Sequence, residues 1–153
     1  MSIQNKLAKN FHLVYDEEVS TNPCCFDPPM MVKCCFQVWE KRNIVREKIK
    51  LKTSHKDWKF LNYEKTSSNK LIAPQGADFA IRAYGGNCGE IVDKELNLLK
   101  PKSWHWIKSN IDVNILKERL CCLDYKQSRD TARQDSIGRG ELVKLYSEKF
   151  EAP

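Results

Sequence analysis

Two stretches near the start of the chain carry the residue pattern of β-strands. Residues 11–15 alternate apolar and polar side chains and are rich in β-forming types. Residues 32–39 are an almost continuous apolar run, which is typical of a central strand covered on both faces. Residues 20–29 lie between them and contain three prolines, so they predict a loop. We therefore predict an antiparallel pair of strands in which Phe36 and Val38 are buried.

Two more strands are predicted in the middle of the chain. Residues 78–84 alternate, with Phe79, Ile81 and Ala83 on one side and Ala80, Arg82 and Tyr84 on the other. Residues 85–89, Gly-Gly-Asn-Cys-Gly, are typical of a tight turn that takes positive φ at several positions. Residues 103–108 predict a strand with Trp104 and Trp106 on one face and His105 and Ile107 on the other.

The helical patterns come late in the chain. Asp112 can cap a helix over residues 113–123, whose apolar stripe is Val113, Leu116, Leu120 and Leu123. Residues 141–150 predict a terminal helix with the buried face Leu142, Leu145, Tyr146 and Phe150. Residues 64–74 and 126–135 are polar and predict loops. These patterns alone indicate an α+β or α/β domain.

Length and composition narrow the class of protein. The 153 residues suffice for one domain, and 41% hydrophobic with 30% charged residues argues against disorder. The net charge of +6 is a mild basic bias. No apolar run approaches the roughly 20 residues of a membrane-spanning helix, and the first residues lack the apolar core of a signal peptide. We therefore expect an intracellular protein of the cytoplasm, the nucleus or a viral factory, with no membrane partner.

The cysteine count favours a reducing compartment. The seven cysteines are three adjacent pairs and one single residue: Cys24, Cys25, Cys34, Cys35, Cys88, Cys121 and Cys122. An odd number without a signal peptide argues against a disulfide scaffold. No C-x-x-C is present, and no histidine lies two to five residues from a cysteine. We predict buried, reduced thiols and assign no metal ligand, with a zinc site built from distant residues as the alternative.

Positive charge is concentrated in residues 41–59. Eight cations against Glu47 and Asp57 give this segment a charge of +6, which equals that of the whole protein. The cations are Lys41, Arg42, Arg46, Lys48, Lys50, Lys52, Lys56 and Lys59. Residues 48–52 alternate as an edge strand would, and edge lysines commonly prevent strand-to-strand aggregation. The alternative is a nucleic-acid-binding segment in which Trp58 and Tyr63 stack on bases. The pattern favours neither interpretation over the other.

Candidate catalytic groups are few. His12 lies within the first strand, where a structural role is favoured over a catalytic one. Residues 85–89 match neither G-x-G-x-x-G nor the Walker A sequence, so they are interpreted as a turn between strands. Residues 27–30, Asp-Pro-Pro-Met, resemble the Asn/Asp-Pro-Pro-aromatic loop of amino-methyltransferases, but the fourth residue is Met and no strand precedes them. We assign no catalytic and no cofactor-binding residue.

Several blocks together resemble a known family. They are residues 4–7, 10–15, 34–42, 78–82 with Gly85 and Gly89, and 106–108; the most specific is Phe-Gln-Val-Trp-Glu-Lys-Arg at 36–42. In this order, over most of the chain, they resemble the C-terminal half of a family of S-adenosylmethionine-dependent DNA methyltransferases, adenine-type, that includes viral and phage-borne members.

The resemblance implies a partial class I methyltransferase fold, which is a Rossmann-like mixed sheet. Residues 1–42 would supply a helix at 4–7 and the antiparallel hairpin that ends the sheet. Residues 43–153 would be a β-rich extension with two C-terminal helices, all within a single domain, 1–153. The family's glycine-rich cofactor loop and catalytic tetrapeptide lie upstream of these blocks, so no catalytic residue carries over to this chain. The family resemblance thus implies that S-adenosylmethionine would be bound only if a partner completed the fold.

Three hypotheses follow. The first is a methyltransferase-like half domain that binds DNA or acts with a complementary half. The second is a non-catalytic viral or virion-associated protein that binds nucleic acid or has a structural role. The third is a small enzyme whose active site has no recognised motif. If no other half covers the apolar strand at 32–39, we expect self-association into a homo-oligomer.

Overall fold

The computed structural model describes residues 6–20, 27–28, 34–48, 50–129 and 135–151. The chain divides after Lys50 into two compact units. The sequence analysis placed the boundary between the hairpin part and the β-rich extension after residue 42. We call the described residues up to Lys50 the hairpin unit and those from Leu51 onward the core unit. Within the described ranges the chain is strand-rich, with antiparallel sheets and two α-helices, which confirms the coarse expectation of a mixed α/β fold.

The hairpin unit is built on two long antiparallel strands, β1 (Phe11–Val19) and β2 (Cys34–Lys41). The predicted pairing of these two segments is therefore confirmed, although residues 32 and 33 lie outside the described residues. A β-bulge between Leu13 and Tyr15 shifts the register by one residue. Of the helix expected over residues 4–7, only the last two residues are described, and they belong to a turn.

The predicted burial of β2 is wrong. Phe36 is 56% exposed and Val38 is 40% exposed, and Tyr15 on the paired strand is exposed as well. The Tyr15 and Phe36 rings contact edge to face, with centroids 6.4 Å apart. The sheet has only two strands, and no helix is present in the described part of this unit. An apolar strand is buried only where other elements cover it, and no described element of the hairpin unit covers β2.

The core unit contains a four-stranded antiparallel sheet and a separate short hairpin. The sheet order is β3–β8–β6–β7, where β3 is Trp58–Leu61, β6 is Phe79–Arg82, β7 is Ile91–Val92 and β8 is Trp104–Ser109. The short hairpin pairs β4 (Glu64–Lys65) with β5 (Leu71–Ile72). These two strands correct the expectation that residues 64–74 form only a loop.

Both faces of the four-stranded sheet are covered. Trp58, Phe79, Ile81 and Ile107 pack with the two helices on one face, whereas Ala80, Trp104 and Trp106 pack with Leu96 and Leu99 on the other. This division confirms the faces that the alternation predicted for residues 78–84 and 103–108. The turn after β6 is also as expected, with positive φ at Gly85 and Gly89.

The first helix, α1 (Val113–Cys121), begins where the sequence predicted it. The Asp112 carboxylate accepts hydrogen bonds from the backbone N–H groups of Asn114 (2.9 Å) and Ile115 (3.0 Å). These donors have no partner inside the helix, so the cap stabilises its first turn. The helix ends two residues before the predicted boundary, but its buried side chains, Leu116 and Leu120, belong to the predicted stripe.

The second helix, α2 (Arg139–Phe150), begins two residues before its predicted start. Its first turn is closed by the Gly138 N–H, which donates to the Glu141 carboxylate at 2.6 Å. Leu142 and Tyr146 are buried as predicted, but Val143 is also buried, and Phe150 is 38% exposed. Short 3-10 helices occupy Leu96–Leu98, Pro101–Ser103 and Tyr125–Arg129; the last corrects the loop predicted at 126–135, whose residues 130–134 lie outside the described residues.

Candidate nucleic-acid interface

The backbone of the basic segment differs from the predicted edge strand. Lys41 ends β2 and Lys59 lies in β3, but the described residues between 42 and 57, which lack only Ile49, form no strand. The prediction of an edge strand at 48–52 is therefore wrong. Protection of a strand edge cannot explain lysines that do not lie on a strand.

Two of the eight cations are neutralised by nearby carboxylates. Arg42 forms an ion pair with Glu40, two residues before it. The ammonium of Lys56 lies 2.8 Å from the Glu151 carboxylate, and this hydrogen bond raises the pKa of Lys56. Both pairs are solvent-exposed and can rearrange, but they lower the positive potential that each cation offers to a phosphate.

Arg46 has a structural role that its sequence position did not predict. Its Nε donates to the carbonyl of Phe11 at 2.6 Å, and its guanidinium lies 5.9 Å from the centre of the Trp39 ring. Its backbone N–H also donates to the carbonyl of Lys9 at 3.0 Å. Arg46 therefore ties the chain after β2 to the start of β1, and its side chain is engaged inside the hairpin unit.

The other five cations of the segment are exposed and have no carboxylate partner within the described residues: Lys41, Lys48, Lys50, Lys52 and Lys59. The first three belong to the hairpin unit and the last two to the core unit. Two of the five lie on sheet edges: Lys41 ends β2 of the two-stranded sheet, and Lys59 lies in β3 opposite Lys108, whose ammonium is 2.7 Å from the Asp78 carboxylate. For Lys41 and Lys59 the protective interpretation therefore retains its physical basis, whereas Lys48, Lys50 and Lys52 do not lie on a strand.

Tertiary structure adds two lysines that the sequence analysis missed. The carbonyl of Lys9 accepts the backbone N–H of Arg46, and the carbonyl of Asn10 accepts that of Arg42 at 2.8 Å. The exposed residues Lys6 and Lys9 thus belong to the same end of the hairpin as Lys41. We call these three residues, together with Arg42, Arg46 and Lys48, the basic end. More than thirty residues separate its two parts, so only the folded pairing identifies it.

The two aromatic residues proposed to stack on bases have different environments. Trp58 is fully buried, with its ring stacked on His55 at a centroid distance of 4.3 Å, so it is unavailable to a nucleobase. That part of the prediction is wrong, because Trp58 is the first residue of β3 and faces the helices. Tyr63 is exposed and is still able to stack.

His12 has the structural position that its strand predicted. Its Nε2 donates to the carbonyl of Ile44 at 2.8 Å, which holds the chain after β2 against β1. Of the tetrapeptide at residues 27–30, Asp27 and Pro28 form an exposed bend, and the other two residues lie outside the described residues. No described contact gives the Asp27 carboxylate a catalytic partner.

The prediction of buried thiols is wrong for three cysteines. Cys35, Cys121 and Cys122 are exposed, while Cys34 and Cys88 are half-buried; Cys24 and Cys25 lie outside the described residues. Across the ranges that the structure describes, no group of three or more His, Cys, Asp or Glu side chains could hold a metal ion. Cys88 lies in a polar surface cavity of about 220 Å³, where partial burial raises the pKa of its thiol. A raised pKa disfavours the nucleophilic thiolate.

A buried polar cluster joins the segment before β3 to both helices. The Tyr146 hydroxyl donates to the Asp57 carboxylate at 2.7 Å, and Arg119 donates to the Tyr146 oxygen at 3.1 Å. His55 Nδ1 accepts the Asp57 backbone N–H at 3.1 Å. His55 Nε2 lies 3.1 Å from a Glu151 oxygen, but the ring N–H is poorly aligned with that oxygen. With Asp57 and Tyr146 buried, this arrangement is a structural clamp and offers no open site.

No protein-family model, curated protein or solved structure matches this chain. None of the helices in the described ranges has both the length and the apolar character needed to cross a membrane. The functional argument therefore depends on the basic surface itself.

Proposed function

We propose that the protein binds nucleic acid, and DNA in particular, through the exposed cations of residues 41–59 and the basic end of the hairpin unit. The observation that carries this proposal is the irregular backbone of the segment that contains Lys48, Lys50 and Lys52. The two explanations for these lysines were edge protection and phosphate binding, and the first requires a strand.

The availability of these cations supports the same conclusion. Three of them, Lys48, Lys50 and Lys52, are exposed and follow one another along a short piece of irregular chain. A flexible ammonium on such a chain can approach a phosphate and release the counterions condensed on DNA. Residues 41–59 carry a formal charge of +6, equal to that of the whole protein, and Lys6 and Lys9 add two further cations at the basic end.

The salt dependence of DNA binding tests the proposal. Each lysine–phosphate contact with duplex DNA contributes a slope of about −0.9 in log affinity against log salt. Three or four contacts predict a slope of roughly −3 to −4. Replacing Lys48, Lys50 and Lys52 with Gln should reduce the magnitude of this slope by about three units.

A matched control replaces Lys94, Lys100 and Lys102 with Gln, which removes the same charge from exposed positions of the core unit. The control should retain the wild-type slope. If both triple variants lost the same amount of salt slope, the effect would be one of general charge. If the slope of the first variant were unchanged, Lys48, Lys50 and Lys52 would be excluded from the interface.

A second candidate is the methyltransferase-like half domain that acts with a complementary half. The exposed apolar residues of the hairpin, Tyr15, Phe36 and Val38, favour it, since the family's hairpin would lie within a larger covered sheet. The partner would carry the glycine-rich cofactor loop and the catalytic tetrapeptide, and S-adenosylmethionine would bind only to the assembled pair.

Calorimetry and purification from the native source test this candidate. We expect no measurable binding of S-adenosylmethionine by the isolated chain and micromolar binding once a partner with those two motifs is added. One-to-one binding by the isolated chain would favour the third hypothesis, a complete small enzyme. Recovery of the chain without any such partner would leave DNA binding as its own activity.

A further inference from the structure

The loop after β2 presents two apolar side chains to solvent. Ile44 is 72% exposed and Val45 is 62% exposed, and the two are adjacent in sequence. They are the most exposed large apolar residues of the described hairpin unit. Side chains of this kind lose unfavourable contact with water when a ligand covers them.

The backbone that carries these two side chains is held in place. The carbonyl of Ile44 accepts a hydrogen bond from His12, and the N–H of Arg46 donates to the carbonyl of Lys9. The N–H of Arg42 donates to the carbonyl of Asn10. The loop is therefore tied to the start of β1 before, at and after the apolar pair, so that Ile44 and Val45 project from a supported turn.

Cations flank the apolar pair on both sides. Of the exposed lysines without a described carboxylate partner, Lys41 precedes the pair and Lys48 follows it, and Lys9 is attached to it through the backbone hydrogen bond to Arg46. Phosphates line both edges of a DNA groove, so a ligand with charge on either side of an apolar contact matches this distribution.

We propose that Ile44 and Val45 form a wedge that inserts between base pairs from the minor groove of duplex DNA and bends it. This inference rests on the proposed DNA binding and specifies its mode. Proteins that insert an apolar side chain between base steps offset the cost of unstacking with additional contacts to the bent duplex. The supported backbone suits this role, because a wedge that yielded would not separate stacked bases.

An anionic membrane surface offers the same combination of apolar and negative groups, but it fits less well. Residues that anchor a protein at a membrane interface are enriched in Trp and Tyr, and residues 42–48 contain neither. Two aliphatic side chains on a fixed turn are better matched to the narrow gap between two base pairs.

DNA bending measured by energy transfer between the ends of a labelled 30-base-pair duplex tests the wedge. The wild-type protein should shorten the end-to-end distance, and the Ile44→Ser/Val45→Ser variant should abolish bending and weaken binding by roughly tenfold. The affinity of the variant should still depend on salt, because the flanking lysines remain, with a slope no steeper than that of the wild type. Leu98→Ser is the matched control, since Leu98 is 71% exposed in the core unit, and it should bend DNA normally.

The outcomes separate the two proposals. If the double variant bent DNA and bound it as the wild type does, the wedge would be overturned. A steep salt slope in the same experiment would still support DNA binding. Absence of salt-dependent binding in the wild type would overturn both. A third outcome is that the wild type does not bend DNA but floats with phosphatidylserine vesicles, whereas the double variant does not float. This result would overturn the wedge and assign the apolar pair to a membrane surface. Ile44→Phe, which keeps an apolar wedge, should bend DNA as the wild type does and guards against misfolding in the double variant.

Discussion

Strands of similar composition have opposite environments in the two units. In the core unit, Phe79 of β6 and Ile107 of β8 are fully buried, because helices cover one face of the sheet and loop residues cover the other. In the hairpin unit, Phe36 and Val38 of β2 are exposed although β2 is just as apolar in sequence. An apolar run therefore indicates that a strand forms, whereas the elements packed against it determine whether it is buried.

The two units also differ in what their side chains contribute, because one favours stability and the other favours binding. A two-stranded hairpin gains little from burial and is marginal by itself, so the core unit should supply most of the free energy of folding. The hairpin unit has exposed aromatic, aliphatic and cationic side chains that a partner could cover. Exposed apolar groups of this kind mark interaction surfaces more often than they add to stability.

A pair of Phe→Ala substitutions should give the largest contrast between the two units. Phe79→Ala would leave a cavity in the core unit and reduce the free energy of unfolding by about 3–5 kcal/mol. Phe36→Ala, at a site 56% exposed, should change it by less than about 1 kcal/mol. Urea denaturation measures both. A similar loss in the two variants would mean that Phe36 is covered in solution, as it would be by a second copy of the chain.

Gly89 tests how closely the core unit is packed around its glycine turn. It has φ +93°, and a Cβ there would overlap the Tyr125 ring. Gly89→Ala should therefore lower the free energy of unfolding by about 2 kcal/mol or more, because the backbone is strained and the ring is displaced.

Two neighbouring glycines provide the controls. Gly85 shares the φ of +93° but has open space around it. Gly85→Ala should therefore lower the free energy of unfolding only by the backbone strain, about 1 kcal/mol. Gly86 has open space and no positive φ, and its replacement by Ala should be nearly neutral. A loss at Gly89 no greater than that at Gly85 would show that the Tyr125 ring moves aside freely.

Two Tyr→Phe substitutions compare a buried with an exposed hydrogen bond. Tyr146→Phe removes the donor to the buried Asp57 carboxylate and should cost about 1–3 kcal/mol. Tyr15→Phe removes the exposed hydrogen bond to Glu17 and should cost less than about 0.5 kcal/mol. Thermal unfolding of both variants measures the difference. Equal costs would contradict the assignment of the buried cluster as a clamp between β3 and the helices.

The smallest effect is expected from Glu151, which joins the C-terminal end of α2 to Lys56 and His55. The hydrogen bond from Lys56, and after it the His55 ring nitrogen 3.1 Å away, lower the pKa of Glu151 from 4.5 to about 2. A lowered folded-state pKa means that the stabilisation is complete above about pH 4.5 and is lost as the pH falls through about 2.

Denaturation midpoints between pH 2 and 6 test this linkage. The wild type should be more stable than Glu151→Gln at pH 6, and the difference should disappear near pH 2. Glu148→Gln, which removes only an exposed pair with Lys144, is the control and should show little change across the range. A difference independent of pH would exclude the carboxylate charge as its cause.

Local patterns predicted the elements whose signals lie within a few residues. Asp112 capped its helix because a carboxylate two or three residues before free backbone N–H groups satisfies them wherever the helix lies. The alternation of residues 78–84 assigned Phe79 and Ala80 to opposite faces because successive side chains of a strand point in opposite directions. The hairpin of β1 and β2 followed from two apolar runs with a breaker-rich loop between them.

Tertiary structure alone decided the features that depend on distant partners. The exposure of Phe36, the burial of Trp58 and the engagement of Arg46 each depend on which elements pack nearby, and a short-range pattern contains no such information. The basic end is a further example, because Lys9 and Arg46 meet through a hydrogen bond across the hairpin. The sequence therefore determined β1, β2, β6 and β8, the Asp112 cap and the total charge, which are local or additive properties. Burial, and the positions at which cations meet, required the folded chain, because both depend on contacts between residues far apart in sequence.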